Sequence, residues 1–571
     1  MENFETLSKI KFYSFFTKYS LMDDYGFLSG LNSRLFRKFV PEVPAEDTFE
    51  YYLRNVSKPD AFAIYFTKIQ ELLANPITRK SISNDLDKAI YALTSKIISF
   101  GFDHKFQSIF EKLKIDSSCY NELLHEVSNL NDEKETSKKF ILENLQKVCD
   151  TIEYLRKNKN IIGTSLHLTL VTRQLLKYIS RTKKLIELKY NLDAEIIWEQ
   201  LIHGYIDYDK SRNSLYKYYT EHADLLTLEI VEHTAQKGEK YLAENYKEYV
   251  SFFKKGLLGG AFISVFALLK IILSYYVSAP LPKAFIYSIN YALCFVIVYL
   301  LGGIIATKQP AMTASTIAKH IDKNDDLHFD ALQDIINLLQ KIIRSQFISL
   351  VGNFIMAFSL SCLIAYVLTL GFIPNPISTE KSDYLIHQVF PFSGGGIFYA
   401  AVAGFFLSFS GFISGYFDNK VKSSNMTYRI EKNKYLLKYL SKHRIKKISS
   451  FIDNSLGVHA GNISLGFLLG SAFLLTYFFQ FKIDIRHIAF SSSNLGYSII
   501  NNDFSLSLIA IALISVLIIG FVNFIVSFSI TFLLVLKSRG VKTKNLRKLL
   551  IMSVKDIIKN PLNYLIVRKN K

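Results

Sequence analysis

The 571-residue chain is 50% hydrophobic with only 11 prolines and 26 glycines, which excludes a disordered, collagen-like or low-complexity polypeptide and leaves room for more than one domain. Its net charge of +19 is uneven: residues 1–255 carry 37 Lys/Arg against 36 Asp/Glu and residues 256–571 carry 31 against 13, differences of +1 and +18. A nucleic-acid-binding surface along the whole chain is not what this balance suggests.

The N-terminus, MENFETLSKIKFYSFF, has no uninterrupted apolar core of the signal-peptide kind, so a cleaved leader is not expected. Residues 1–255 hold six glycines and four prolines and lack sustained alternating strands, which predicts a helical bundle. The stripe Leu168, Val171, Leu175, Tyr178 and Ile179 predicts a helix over 163–190, opened by Gly163-Thr164-Ser165. Residues 130–139 (LNDEKETSKK) read as a linker, and 213–255 as one or two long helices interrupted at Gly238. Balanced charge suits a module that binds a protein partner through residues 1–255. Cys119, Cys149, Cys294 and Cys362 form no CxxC and have no histidines at zinc spacing, so buried thiols are expected, with no metal and no cofactor.

From Gly256 the pattern changes. Apolar runs at about 256–279, 284–306, 347–372, 396–416, 457–480 and 505–536 each reach the ~20 residues a helix needs to cross a bilayer. The segments between them alternate in charge: 307–346, 417–456 and 537–571 hold 5, 10 and 11 Lys/Arg, while 280–283, 373–395 and 481–504 hold 1, 1 and 2. Positive charge collects on the cytoplasmic side. The expected fold is therefore all-α: a helical cytoplasmic N-terminal domain (1–255), a six-helix transmembrane domain of three hairpin repeats (256–536) and a basic amphipathic cytoplasmic tail (537–571). The expected location is a bacterial inner membrane, with both termini in the cytoplasm. The repeats show in Gly259-Gly260-Ala261, Gly352-Asn353 and Gly461-Asn462, placed early in the three outgoing helices. Small residues there bring helix backbones together, and an amide in hydrocarbon seeks a partner across the interface; the same residues would also suit a substrate pathway.

Candidate functional residues follow in chain order. Lys270, about 14 residues into the first span, is costly unless paired, hydrated or snorkelling outward, and marks a polar cavity with Asn353, Asn462, Asn523 or a carbonyl as partner. Lys308-Gln309-Pro310, just after the second span, is either an anchored helix corner or a headgroup or phosphate contact. Asp484, Arg486 and His487 cluster in the third external loop, as an exposed ion-paired turn or a recognition site. Residues 432–452 and 546–559 are basic amphipathic helices suited to an anionic inner leaflet, which makes membrane lipids the first expected partner.

Several blocks carry a resemblance. They are HTAQKGEKYLAENYKEYVSFFKKGLLGGAFISVFALLK (233–270), ATKQPAMTASTIA (306–318), IIRSQFISLVGNFIMAF (342–358), FYAAVAGFFLSFSGFISGYFDN (398–419), AGNISLGFLLG (460–470) and DIRHIAFSSSNLGYSI (484–499). From about Gly163 to Gly540 the chain resembles a bacterial multipass membrane family known as site-specific recombinases, named after a gonococcal member. The resemblance implies DNA strand exchange and DNA as a partner. Exchange by a tyrosine needs clustered cations on the phosphate, commonly two arginines with a His-x-x-Arg element. No histidine here has Arg three positions on; His443 has Lys446 in that place, and Tyr564, followed by Arg568, is an available late tyrosine without the remaining set. Ser14 is an early serine in a domain read as helical, and P-loop, GxSxG and HExxH patterns are missing. The residues favour a membrane scaffold or a transport-like role, with a small-solute or lipid transporter and a recombinase as alternatives.

Overall fold

The computed structural model describes residues 10–18, 45, 47–54, 62–128, 135–158, 166–212, 214–216, 242–305, 329–372, 374–392, 395–479, 484–538 and 543–567. Among them every regular element is a helix, and one isolated bridge pairs Lys11 with Thr48. The chain divides into two compact units, Met1–Ala223 and Asp224–Lys571.

In the first unit the described helices are α1 (Tyr13–Lys18), α2 (Phe49–Arg54), α3 (Phe62–Ala74), α4 (Pro76–Gly101), α5 (His104–Leu113), α6 (Ser118–Ser128), α7 (Glu135–Lys157), α8 (Leu166–Tyr190) and α9 (Glu195–Arg212). Helix α4 starts where Asn75 accepts the Ile77 amide at 2.9 Å and Pro76 presets the first turn. Its apolar stripe Ile82, Leu86, Ile90, Leu93 and Ile97 is fully buried, and α1, α3, α6 and α8 pack around it. Val171, Leu175, Tyr178 and Ile179 of the expected α8 stripe are buried as well, with Leu168 at the edge of the same core. Residues 135–139, expected in a linker, form the start of α7. Trp198 is buried among Phe12, Phe15 and Phe16, and its indole N–H donates to the Leu192 carbonyl at 2.9 Å. Arg181, also buried, donates to the carbonyls of Phe15 and Phe16 at 2.7 and 3.2 Å, which satisfies groups near the end of α1.

The second unit contains α10 (Tyr246–Tyr276), α11 (Pro280–Leu300), α12 (Phe329–Thr369), α13 (Thr379–His387), α14 (Gly396–Ser423), α15 (Met426–Glu431), α16 (Lys434–Tyr439), α17 (Lys442–Ser471), α18 (Leu474–Phe479), α19 (Ile488–Ile500), α20 (Leu506–Ser538), α21 (Thr543–Lys559) and a 3-10 turn, Pro561–Tyr564. Five stretches, Tyr246–Tyr276, Pro280–Leu300, Leu332–Thr369, Gly396–Ser423 and Leu506–Leu534, are long and apolar enough to cross a membrane. The expected span 457–480 is not among them. Helix α17 carries a charged first half and the polar residues His459 and Asn462, then breaks after Ser471 before the short α18. The expected amphipathic helix over 432–452 is likewise two helices, because Ser441 caps the start of α17 by accepting the Arg444 amide.

Two segments read as external loops contain helices. Helix α19 is buried from Ile488 through Ser493 and packs on α10, α12, α13 and α20. Its small residues permit that: a Cβ on Gly496 would stand 2.6 Å from the Phe358 carbonyl, and Ser492 returns its hydroxyl to the Ile488 carbonyl.

Helix α10 lies against α12 along a seam of small residues. A Cβ on Gly256 would meet the Ser349 carbonyl at 2.6 Å, and one on Gly260 would meet the Asn353 carbonyl at 2.5 Å and the Ala357 nitrogen at 2.9 Å. The obstacles are backbone atoms inside helices, so neither side can yield cheaply. Gly260→Ala should therefore destabilise the chain by about 1–3 kcal/mol, the usual cost of overpacking. Gly204→Ala, in α9 with nothing within 4 Å of the new methyl, should be neutral or gain about 0.5–1 kcal/mol. Thermal melts of the detergent-purified chain followed by circular dichroism separate the two, and equal midpoints would remove the seam as a constraint.

Candidate functional site

Lys270 sits on α10 six residues before its end, and its partner is none of the expected asparagines. Its ammonium donates to the Tyr291 hydroxyl of α11 at 2.8 Å and lies 5.3 and 5.1 Å from the ring centroids of Tyr287 and Tyr291. These are distances at which an aromatic face attracts a cation. Tyr291 is held in turn by an edge contact with Phe490 of α19, centroids 4.5 Å apart. Lys283, in the first turn of α11, shares the Tyr287 ring at 5.8 Å. Lys381 of α13 reaches the Ser274 hydroxyl at 3.4 Å and lies beside the rings of Tyr384 and Tyr275. Burial, and then Lys270 and Lys283, hold the Lys381 ammonium below its ordinary pKa. Among the described residues none of these three lysines has a carboxylate within ion-pair distance; Asp484 acts on Lys270 from further away.

Asp484 is engaged elsewhere. It pairs with Arg486 at 2.6 Å, and the Arg486 side chain is 11% exposed, donates to the Gln388 carbonyl and lies over the Tyr399 ring. His487 is buried between Phe295 and Phe490. The expected ion pair is present, but the segment is built into the core instead of standing out as an exposed turn. Lys308, Gln309 and Pro310 lie outside the described residues.

The three asparagines join helices. Asn353 donates to the carbonyls of Gly256 and Ile304 at 2.8 and 2.9 Å, and Asn462 to that of Phe295 at 3.1 Å. Asn523 donates to the carbonyls of Ala400 and Arg486 at 2.7 and 2.9 Å and accepts the Ile488 amide at 3.1 Å, so it fixes the entrance to α19. Sequence reasoning missed Tyr287, Tyr291, Lys283 and Lys381. The signal was the interleaving of lysines and tyrosines across Tyr275–Tyr291, which ordinary aromatic anchoring at a membrane interface also produces.

Tyr564 is buried, and its hydroxyl donates to the Asp556 carboxylate at 2.6 Å. Burial and that carboxylate both push the phenol pKa up. A nucleophile needs the opposite environment. His443 and Lys446 are both on the exposed first turns of α17. On α21, Leu549 is buried but Leu550, Ile551, Val554 and Ile558 form an exposed apolar face.

The fold and these residues define an all-helical, membrane-associated protein with a cluster of cations held in aromatic surroundings. A family model, site-specific recombinase, matches residues 4–566, and the chain belongs to that family. No curated protein and no solved structure matches it.

The tail offers a pH-dependent test. Burial works to raise the Asp556 pKa, but hydrogen bonds from Tyr564, Asn560 and Gln340 outweigh it, and the carboxyl ends below its ordinary value. Its contribution to docking is thus complete above the ordinary carboxylate pKa of ~4 and is lost as pH falls through the lower folded value. A spin label on Leu562→Cys should be immobile at neutral pH and gain mobility at pH 3, while Asp556→Ala should give the mobile spectrum at both. A line width in the parent that ignores pH would remove this carboxylate as the tail's anchor.

Proposed function

We propose that the protein is a multipass protein of a bacterial inner membrane with a transport-like role, taking an anionic solute at Lys270, Lys283 and Lys381. The observation that carries the reading is the convergence of three ammonium groups from α10, α11 and α13 without a paired carboxylate, on a polar patch beside the buried helix α19. Cations inside apolar helical bundles mark ion and substrate pathways, and short helices within such bundles commonly frame the binding site. Rings of Tyr275, Tyr287, Tyr291 and Tyr384 would orient a small anion by exclusion of water while the lysines supply charge. The first unit, with its balanced charge, serves in this reading as a protein-binding module on the cytoplasmic side. The exposed apolar face of α21 with Arg547, Lys548, Lys555 and Lys559 suits an anionic leaflet.

Uptake of radiolabelled phosphate, sulfate and succinate into proteoliposomes tests the site. At least one should enter at a rate that falls tenfold or more in Lys270→Met and Lys381→Met at equal incorporation. Identical rates in parent and variants for all three tracers would sink the proposal.

Orientation rests on the charge asymmetry of the connecting segments and has its own test. In a chain freed of its four cysteines, Ser378→Cys should react with an impermeant maleimide on intact cells, and Leu440→Cys only after permeabilisation. The reverse pattern would invert the topology.

Strand exchange is the second reading, favoured by the family's name. Tyr564 beside Asp556 works against it, since a carboxylate at the nucleophile repels the phosphate that must approach.

A further inference from the structure

An apolar groove of about 480 Å³ runs between α12 and α20, within the ~300–1,000 Å³ typical of small-molecule sites. Ile343, Phe347 and Leu350 of α12 form one wall, Leu517 and Phe521 of α20 the other, and Leu565 of the tail closes on it. The groove opens sideways: Phe521 is 63% and Leu517 44% exposed, on two of the helices long and apolar enough to cross a membrane. Its lining contains one conspicuous exception. Gln346 is 2% exposed, and neither its amide nitrogen nor its amide oxygen has a hydrogen-bond partner. Buried amides are almost always satisfied, so an unmet donor lining an otherwise apolar cavity calls for an acceptor.

The depth of Gln346 limits what that ligand is. Arg344 is the last charged residue of α12, and no charge follows from Ser345 to Thr369. Gln346 therefore stands where the polar part of the helix gives way to its apolar run, the level at which a bilayer changes from ester linkages to hydrocarbon. A water-soluble metabolite would find one polar group and no charge in the groove, and a peptide backbone would leave most of its own amides unmet. We propose that the groove holds one acyl chain of a bilayer phospholipid, with the Gln346 amide N–H donating to that chain's ester carbonyl. The inference uses the membrane placement of α12 and α20 but not the anion site. A lipid held in this way would wedge α12 and α20 at a fixed separation and tie the docking of Leu565 to the bilayer.

Trp198 is the only tryptophan and lies in the other unit, so a second tryptophan reports locally. The experiment places Phe521→Trp in the groove and, in a separate chain, Leu533→Trp on the 56% exposed face of α20 outside it. Each full-length protein is reconstituted in mixtures of dioleoyl and dibrominated phosphatidylcholine. The expected result is a relative lipid-binding constant at position 521 at least fivefold above that at 533, reduced to the value at 533 by Gln346→Leu or Gln346→Met. Two size-matched replacements guard against a folding defect in either, and circular dichroism checks each. Superimposable quenching curves at 521 and 533 would make the groove ordinary boundary surface and overturn the proposal. A high constant at 521 that survives both replacements would overturn the role of Gln346. Quenching at neither position would show that the helices do not meet lipid and would overturn the membrane placement itself.

Discussion

The second unit depends on how closely α10 and α12 approach. Lipid tails are as apolar as leucine, so helices in a bilayer gain little from burying hydrocarbon against one another; contact comes from packing and from polar groups that find partners. Here Gly256 and Gly260 on one helix and Gly352 on the other let the backbones touch, and Gly259 makes room for the Ile304 carbonyl. Asn353 then spends its amide on two carbonyls that would otherwise face hydrocarbon. One belongs to Gly256 inside α10, and the other to Ile304, four residues past the end of α11. Ile304 is itself held by its amide on the Lys255 carbonyl. The chain returns to this point because α11 ends in a tight reversal. Gly302 adopts φ +80°, the Gly302 amide bonds the Tyr299 carbonyl, and the Gly303 amide bonds the Val298 carbonyl, the paired closure that a left-handed residue permits. One side chain thus fixes three segments: α10, α12 and the end of α11.

That constraint reaches the lysine cluster. Lys270 lies on α10 ten residues beyond Gly260, and Tyr287 and Tyr291 lie on α11, so the distance between the ammonium and its ring partners is set by the two elements that Asn353 holds at their opposite ends. Asn523 does the same work on the other side. Its bonds to the Ala400 and Arg486 carbonyls and from the Ile488 amide fix the start of α19, whose Phe490 supports the Tyr291 ring. The asparagines hold the frame, and the lysines and tyrosines fill it.

How much of this was legible depends on which physical signal each part leaves in the chain. Apolar length is a strong signal, and five of six expected spans fall on helices able to cross a membrane. The sixth misled because the run after Asn462 is apolar enough on average, yet the helix that carries it starts in a charged segment and stops at Ser471. Helix α19 was illegible for the converse reason. Ser491, Ser492, Ser493 and Gly496 look like a loop, but each serine can return its hydroxyl to its own helix, and small side chains are what a buried, closely packed helix requires. The asparagines were identified as buried amides in search of partners, which they are. Lys270 was identified as a cation in need of company, but its partner is a tyrosine on the neighbouring helix. Which residue answers such a need depends on helix rotation, and periodicity in one sequence does not fix rotation between two helices.

The family name and the chemistry pull in different directions, and electrostatics is where the two readings differ at the level of residues. Strand exchange places a pentavalent phosphate, and its growing negative charge, between the nucleophile and several cations. In this chain the late tyrosine faces a carboxylate, whereas the cations that lack a carboxylate partner stand at the far end of α10, on a hairpin between two apolar helices. A DNA duplex is about 20 Å across and surrounded by counterions, and the α10–α11 turn, Val277 to Ala279, is three residues long. The aromatic rings pack directly on the ammonium groups at 5–6 Å. In the transport-like reading, positive charge placed this way would receive a small anion rather than a duplex.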